Sequence, residues 1–231
     1  MPVFQIRKAN KPELIGVLSI LFILFFCSFF GASILLQLQG IDKVNATTLF
    51  LSRFIFWICV VLVWIYAIKI ERQPLLVWEE HRYPFLTYLG HIFLVIIAIF
   101  IVLIPVRLAI YFSGLEQVST KLIEMKSMLK GSKSFVLFVV FTAGITEEIL
   151  FRGYIQPRLD ALLKSPVLGI LINSLLFALL HHGYGTLVNI IGPLFIGLIF
   201  SVYYWKFRNI KVLITCHILI DLIALSALLR S

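Results

Sequence analysis

Residues 14–38 carry no charged side chain. About 20 helical residues cross the hydrocarbon core of a bilayer, and no backbone polar group can be left unpaired there. A run of this length therefore reads as a transmembrane helix. Similar runs recur at 49–70, 86–111, 134–159, 165–182, 186–207 and 210–229. The spacing predicts seven spans, or eight if the segment 113–134 or the long third run re-enters. Composition agrees: 61% of the 231 residues are hydrophobic, 13% are charged, and mean hydropathy is +1.05. A soluble domain of this size needs a far more polar surface. The expected fold class is all-α, a polytopic transmembrane helical bundle. The first run is too long for the apolar core of a cleavable signal and lacks a cleavage site, so it is expected to stay as a signal anchor.

The segments between the runs set the organisation. Arg53 lies near the start of the second run, where its long stem can snorkel to the interface. The loop 71–86 carries Arg72, Glu79, Glu80 and Arg82, with Trp78 and Tyr83 as interfacial anchors. In 113–134, apolar and lysine positions alternate at helical spacing, which predicts a short amphipathic helix on the membrane surface. Pro157 with Arg158 and Asp160 is expected to end the fourth run, and Gly183-Tyr184-Gly185 the fifth. Residues 1–133 thus form N-terminal spans and the surface helix, and 134–231 a chemically distinct core. The loops on the N-terminal side hold the larger share of Lys and Arg, so the expectation is a multi-pass protein of a bacterial cytoplasmic membrane with its N-terminus in the cytoplasm. A net charge of +9 is explained by those loops and by anionic lipid, and nucleic acid is not expected as a partner. Cys27, Cys59 and Cys216 lie inside apolar runs without pair spacing, which suits apolar packing rather than a disulfide or zinc framework. Asn45-Ala46-Thr47 fits a glycosylation tripeptide, a pattern common by chance.

The chemistry concentrates in three runs. Residues 142–154 read TAGITEEILFRGY. Ionisable groups at bilayer depth are costly and mark function. On a helix Glu148 and Arg152 stand at i and i+4, acid first, the favourable order for an ion pair. Glu147 lies about 100° away around the helix and cannot share that arginine equally. One carboxylate is neutralised and the other is free to work. In the fifth run Phe177 and His181 share a face, and His182 points elsewhere. In the seventh, His217 and Asp221 share a face. A carboxylate beside an imidazole can hold and deprotonate water, the general-base arrangement for hydrolysis. A second imidazole can donate to a developing oxyanion. Glu147, His181 and His217 are equally a ligand set for Zn²⁺ with one open position, and with no HExxH present the residues do not choose. Cys216 as a nucleophile is disfavoured, because it sits about 100° around the helix from His217.

Glu147-Glu148-Ile149-Leu150-Phe151-Arg152 resembles the EExxxR motif of the CPBP (Abi) intramembrane proteases, a family that includes the type 2 CAAX prenyl proteases. Phe177 to His181 looks like its FxxxH motif, His217 to Asp221 like its HxxxN/D motif, and Phe195-Ile196-Gly197 like its glycine-bearing sixth span. The likeness covers about residues 134–225. It implies hydrolysis of a membrane-associated peptide or protein inside the bilayer. By position, Glu147 and His181 would activate water, His217 and Asp221 would form the oxyanion side, Glu148 and Arg152 would brace the site, and Phe177 would meet substrate. The prenyl proteases carry Asn where this chain has Asp221. An ionised Asp accepts hydrogen bonds but cannot donate one, so Asp221 either orients His217 or is protonated. Two other readings use the same residues. A membrane scaffold, bacteriocin-immunity or accessory protein would keep the motif for folding or partner binding. A proton-coupled carrier would relay protons through Glu and His, against which stand the few spans and the lack of a repeat.

Overall fold

The computed structural model describes residues 9–115 and 119–230. Arg7 and Lys8 of the basic N-terminal segment, and residues 116–118, lie outside the described residues. Among the described residues, seven helices are long and apolar enough to cross a membrane: Lys11–Gln39, Ala46–Glu71, Phe85–Phe112, Lys133–Leu163, Pro166–Tyr184, Val188–Phe207 and Ile210–Arg230. The chain is an all-helical integral membrane bundle with multiple passes. Its elements are α1 (Lys11–Gln39), α2 (Ala46–Tyr66, with a π turn Ala67–Glu71), α3 (Phe85–Phe112), α4 (Thr120–Leu129) and α5 (Lys133–Glu148). A π segment (Ile149–Ile155) leads into α6 (Gln156–Leu163), and α7 (Pro166–Leu180) ends in a 3₁₀ turn (His181–Tyr184). Last come α8 (Val188–Phe207) and α9 (Ile210–Arg230).

The helix starts obey local chemistry. Asn10, Asn45, Ser119, Ser132 and Ser165 each accept a backbone N–H three residues on, satisfying donors that a helix N-terminus leaves orphaned. Asn45, the glycosylation-pattern residue, is thus the N-cap of α2. Among the described residues, the segment 113–134 holds α4, too short to span a bilayer, and the first two residues of α5. Leu129 is buried with Leu49, Val139, Val140 and Leu225, while Ile123 stays exposed, so α4 lies across the ends of α5 and α9.

The fourth span differs from expectation. Pro157 does not end it; the helix runs on to Leu163. A proline lacks an N–H and crowds the carbonyl four residues back. The widened π turn at 149–155 sits immediately before Pro157 and accommodates both effects. Arg158 is fully buried, its Nε 2.9 Å and Nη2 2.5 Å from Glu71 Oε2. Tyr154 donates to Glu71 Oε1 at 2.6 Å, and the Arg158 guanidinium stacks 3.7 Å from the Tyr154 ring. This knot joins the end of α2 to α6.

The loop expected before α3 is present, between Glu71 and Phe85. Trp78 packs on Tyr204, with its ring centroid 5.2 Å away, and Tyr83 donates to the Phe207 carbonyl at 2.8 Å. Glu80 accepts from the Ile210 N–H at 2.7 Å and from Tyr204 at 2.8 Å. The loop is therefore bound to the α8–α9 turn.

Candidate active site

Three helices bring the site together. Gly144 lets α5 approach α9 closely: a Cβ there would stand 2.6 Å from Ile218 Cγ1 and 3.3 Å from the Ile218 nitrogen. That approach puts Glu147 and Glu148 one turn along α5 beside His217 of α9. Gly197 of α8 lies against Ser174 of α7 in the same way, and its carbonyl faces Arg152 Nη2 at 3.4 Å.

Glu148 is fully buried. Its Oε1 accepts from Arg152 Nη1 at 3.1 Å and from His217 Nδ1 at 2.7 Å. Charge-assisted bonds of this kind are about twice as strong as neutral ones. Arg152 is clamped between rings, its guanidinium carbon 4.4 Å from the Phe177 centroid and 5.4 Å from that of Phe200. The i, i+4 pair expected between Glu148 and Arg152 is present, and His217 extends it to α9.

Glu147 stands apart from that pair. Its Oε2 is buried without a hydrogen-bond partner, and the nearest cationic group is His217 Nε2 at 3.9 Å. Asp221 Oδ2 lies 3.7 Å from the same nitrogen. Three carboxylates therefore surround one imidazole: Glu148 on Nδ1, and Glu147 with Asp221 beside Nε2.

His181 sits at the end of α7. Its Nδ1 is 2.9 Å from the Phe177 carbonyl. A carbonyl only accepts, so Nδ1 carries the proton and Nε2 is left as the acceptor. Glu147 and His181 both line a cavity of about 280 Å³. Its other walls are the later half of α1 (Leu24 to Leu35), Val44 of the α1–α2 turn, the first half of α2 (Thr48 to Phe56), α4 and Tyr184. The cavity opens at the end of the bundle that holds the α1–α2 turn, opposite the N-terminus. No hydrogen bond joins Glu147 to His181; they share a wall.

Phe177 is only 2% exposed and does not line the cavity. Its ring touches Arg152, Phe151 and His181, so its place is beneath the polar residues, not against a substrate. His182 packs on Phe29 of α1, with centroids 4.4 Å apart. Cys216 is fully buried, its sulfur near the Ile92 carbonyl. Among the described residues no group of three or more His, Cys, Asp or Glu is placed to hold a metal ion.

Sequence reasoning missed Arg53. It does not snorkel outward: it lines the cavity, its guanidinium carbon 5.6 Å from the Phe56 ring, within electrostatic range of Tyr184 and Asp221. The signal was available, since a lone arginine within an apolar run marks function unless it reaches water.

Comparison with known families decides what this arrangement is similar to. The family described as type II CAAX prenyl endopeptidase Rce1-like matches residues 130–223. The likeness runs from just before α5 into α9. No curated protein and no solved structure matches the chain. The Rce1-like segment holds Glu147, Glu148, Arg152, Phe177, His181, His217 and Asp221, while α1, α2 and Arg53 lie outside it. The family is one of CAAX-type proteases, in agreement with the motif resemblance.

Proposed function

We propose that this protein is an intramembrane endopeptidase that hydrolyses a peptide bond of a membrane-associated protein or peptide with water activated by Glu147 and His181. The observation that carries the reading is the contrast between two adjacent acids. Glu148 Oε1 accepts from both Arg152 and His217, whereas Glu147, whose Oε2 carries no hydrogen bond, lines a cavity that His181 also lines. A base must face the proton it takes, with its lone pair uncommitted.

In this mechanism the substrate enters the largely apolar cavity with its scissile amide over Glu147. Water hydrogen-bonds to Glu147 and His181 Nε2. Its proton passes to the Glu147 carboxylate as its oxygen attacks the amide carbon, and the carbonyl π pair moves onto the carbonyl oxygen. When that pair returns, the C–N bond breaks. The departing amine takes the proton from Glu147, which restores the carboxylate and leaves a carboxylic acid and an amine. His217 supports Glu147 from behind: Glu148 fixes its Nδ1, and Asp221 draws its Nε2 toward the cavity side. Asp221 is thereby a positioning residue for His217. Phe177 holds the Arg152 guanidinium and the His181 ring in place. In this reading the chain's own side chains carry every step.

The protein is tested purified in detergent, against a peptide pool, with Glu147→Ala and His181→Ala beside the parent. Loss of cleavage in both variants supports the reading; equal cleavage in variants and parent ends it. Absence of any product from the parent, with altered partner capture in the variants, would favour the scaffold or accessory reading. Metal analysis and chelator treatment of the active protein should leave cleavage unchanged. The excess of Lys and Arg on the N-terminal side supports a cytoplasmic N-terminus, and in that orientation the α1–α2 turn and the cavity beside it face the outer side.

A further inference from the structure

Amide hydrolysis needs a donor for the oxygen that becomes negative, usually a positioned N–H at that point. The donors near Glu147 can be taken one at a time. Arg152 has Nη1 on Glu148 and Nη2 facing the Gly197 carbonyl; its buried Nε has no partner, but Phe177 and Phe200 hem the guanidinium in and it does not line the cavity. His217 has Nδ1 on Glu148; its Nε2, 3.9 Å from Glu147 and 3.7 Å from Asp221, is hydrogen-bonded to neither, but His217 does not line the cavity. His181 spends its N–H on the Phe177 carbonyl. Asp221, when ionised, has nothing to donate. Lys121 is exposed at the cavity mouth, on α4.

Arg53 is left. It rises from α2 into the cavity, on the wall facing α7, and its Nε is buried without a hydrogen-bond partner. A guanidinium carries five N–H donors in a rigid fork and keeps its charge in apolar surroundings. Its surroundings are polar on one side only: Tyr184 and Asp221 within electrostatic range, and the Phe56 ring below. Tyr184 stacks near His181, with centroids 6.2 Å apart. Arg53 thus looks across the cavity toward the acid–imidazole cluster, with uncommitted donors and a full positive charge.

We propose that Arg53 is the electrophilic residue of this site, stabilising the tetrahedral oxyanion from the α2 wall. The proposal rests on the hydrolytic reading above. Arg53 exchanges no proton: its N–H groups hydrogen-bond to the oxygen while that oxygen bears the charge, and release it when the C–N bond breaks. The assignment recruits to the reaction a helix outside the Rce1-like segment.

The test uses the full chain in lipid nanodiscs. Arg53→Gln, Arg53→Lys and Tyr184→Phe are compared with parent on a peptide cleaved by the parent. Removing an oxyanion donor typically lowers kcat by about 100-fold or more, so Arg53→Gln should show that loss with KM little changed, and Arg53→Lys a partial rescue. Two inert analogues of that peptide give a readout independent of turnover: one carries a phosphinate at the scissile position, the other a neutral hydroxyethylene. Parent should prefer the phosphinate, and Arg53→Gln should lose the preference while melting at the parent temperature. Arg53→Gln at the parent rate, or a loss confined to Tyr184→Phe, overturns the assignment. So does a KM increase that disappears once the peptide's C-terminal carboxylate is amidated, which would make Arg53 a substrate anchor. A parent that cleaves nothing defeats the hydrolytic reading itself; a parent that cleaves while Arg53→Gln matches it defeats Arg53 alone.

Discussion

Glu147 and Glu148 are neighbours in sequence, but the structure assigns them opposite consequences on mutation. Glu148→Gln strips the carboxylate from a fully buried guanidinium and from an imidazole N–H 2.7 Å away. Breaking a buried ion pair by removing one partner costs about 3–5 kcal/mol, because the remaining charge is stranded. The His217 bond adds to that loss without summing fully, since both donors share one oxygen. Glu147→Gln removes a charge whose Oε2 has no hydrogen bond. Its only close partner is the His217 nitrogen at 3.9 Å, and the amide relieves a poorly solvated carboxylate, so the net change should stay within about 1 kcal/mol. For activity the order reverses: without its general base the reaction should slow by about 10²–10⁴-fold. Both quantities can be read on one preparation in detergent, stability from thermal melting and kcat from cleavage of the same peptide. Glu147→Gln should melt with the parent and cleave almost nothing, and Glu148→Gln should melt well below it. Equal destabilisation by the two variants would refute the division of labour, as would a Glu147→Gln enzyme that keeps its rate.

Other predictions follow from the same geometry. Glu71→Gln leaves Arg158 buried without its carboxylate and should cost about 3–5 kcal/mol, while kcat of the surviving folded fraction is unchanged, since the knot lies far from the cavity. Gly144→Val drives a side chain into Ile218 and separates α5 from α9; cleavage should fall sharply although membrane insertion, read by fractionation, persists. Burial pushes the Glu80 carboxyl above its ordinary range, against the bonds from Ile210 and Tyr204 that pull it down. The folded state then binds that proton more tightly than the unfolded one, so this group's contribution to stability is present at low pH and lost as pH rises through its folded pKa; Glu80→Gln should flatten that part of a melting-against-pH profile. Asp42→Cys, in the α1–α2 turn, should react with a membrane-impermeant maleimide on intact cells if the N-terminus is cytoplasmic.

What the residues disclosed beforehand was what depends on short spacing. The spans, the Glu148–Arg152 pair and the His217–Asp221 face follow from helical periodicity, and the structure has all of them. What depends on distant packing was hidden. Arg158 reads as a span-ending charge until Glu71, from a different helix, is found beside it. Arg53 reads as a snorkelling residue because one helix alone offers its stem no cavity to enter. Phe177 shares a face with His181, and only the fold shows that its ring lies under Arg152. The continuation through Pro157 needed the π turn, which no propensity announces.

The charges of the site argue for treating these residues as one unit. Glu147, Glu148 and Asp221 gather around His217 in surroundings where an unbalanced charge is costly. Arg152 answers Glu148 directly. Arg53, across the cavity, is a second fixed positive charge. Two guanidiniums against three carboxylates leave one negative charge over, and a single proton shared among His217, Glu147 and Asp221 brings the balance to neutral. When water gives its proton to Glu147, one acid is neutralised and the negative charge reappears on the substrate oxygen, on the Arg53 side. The total charge of the pocket stays constant while its location moves from the α5 wall toward the α2 wall. A site with a mobile proton on one side and a fixed cation on the other stabilises that displacement, which is why substitutions at Glu147 and Arg53 should be strongly non-additive: with the base gone no oxyanion forms, and loss of the guanidinium then changes little further.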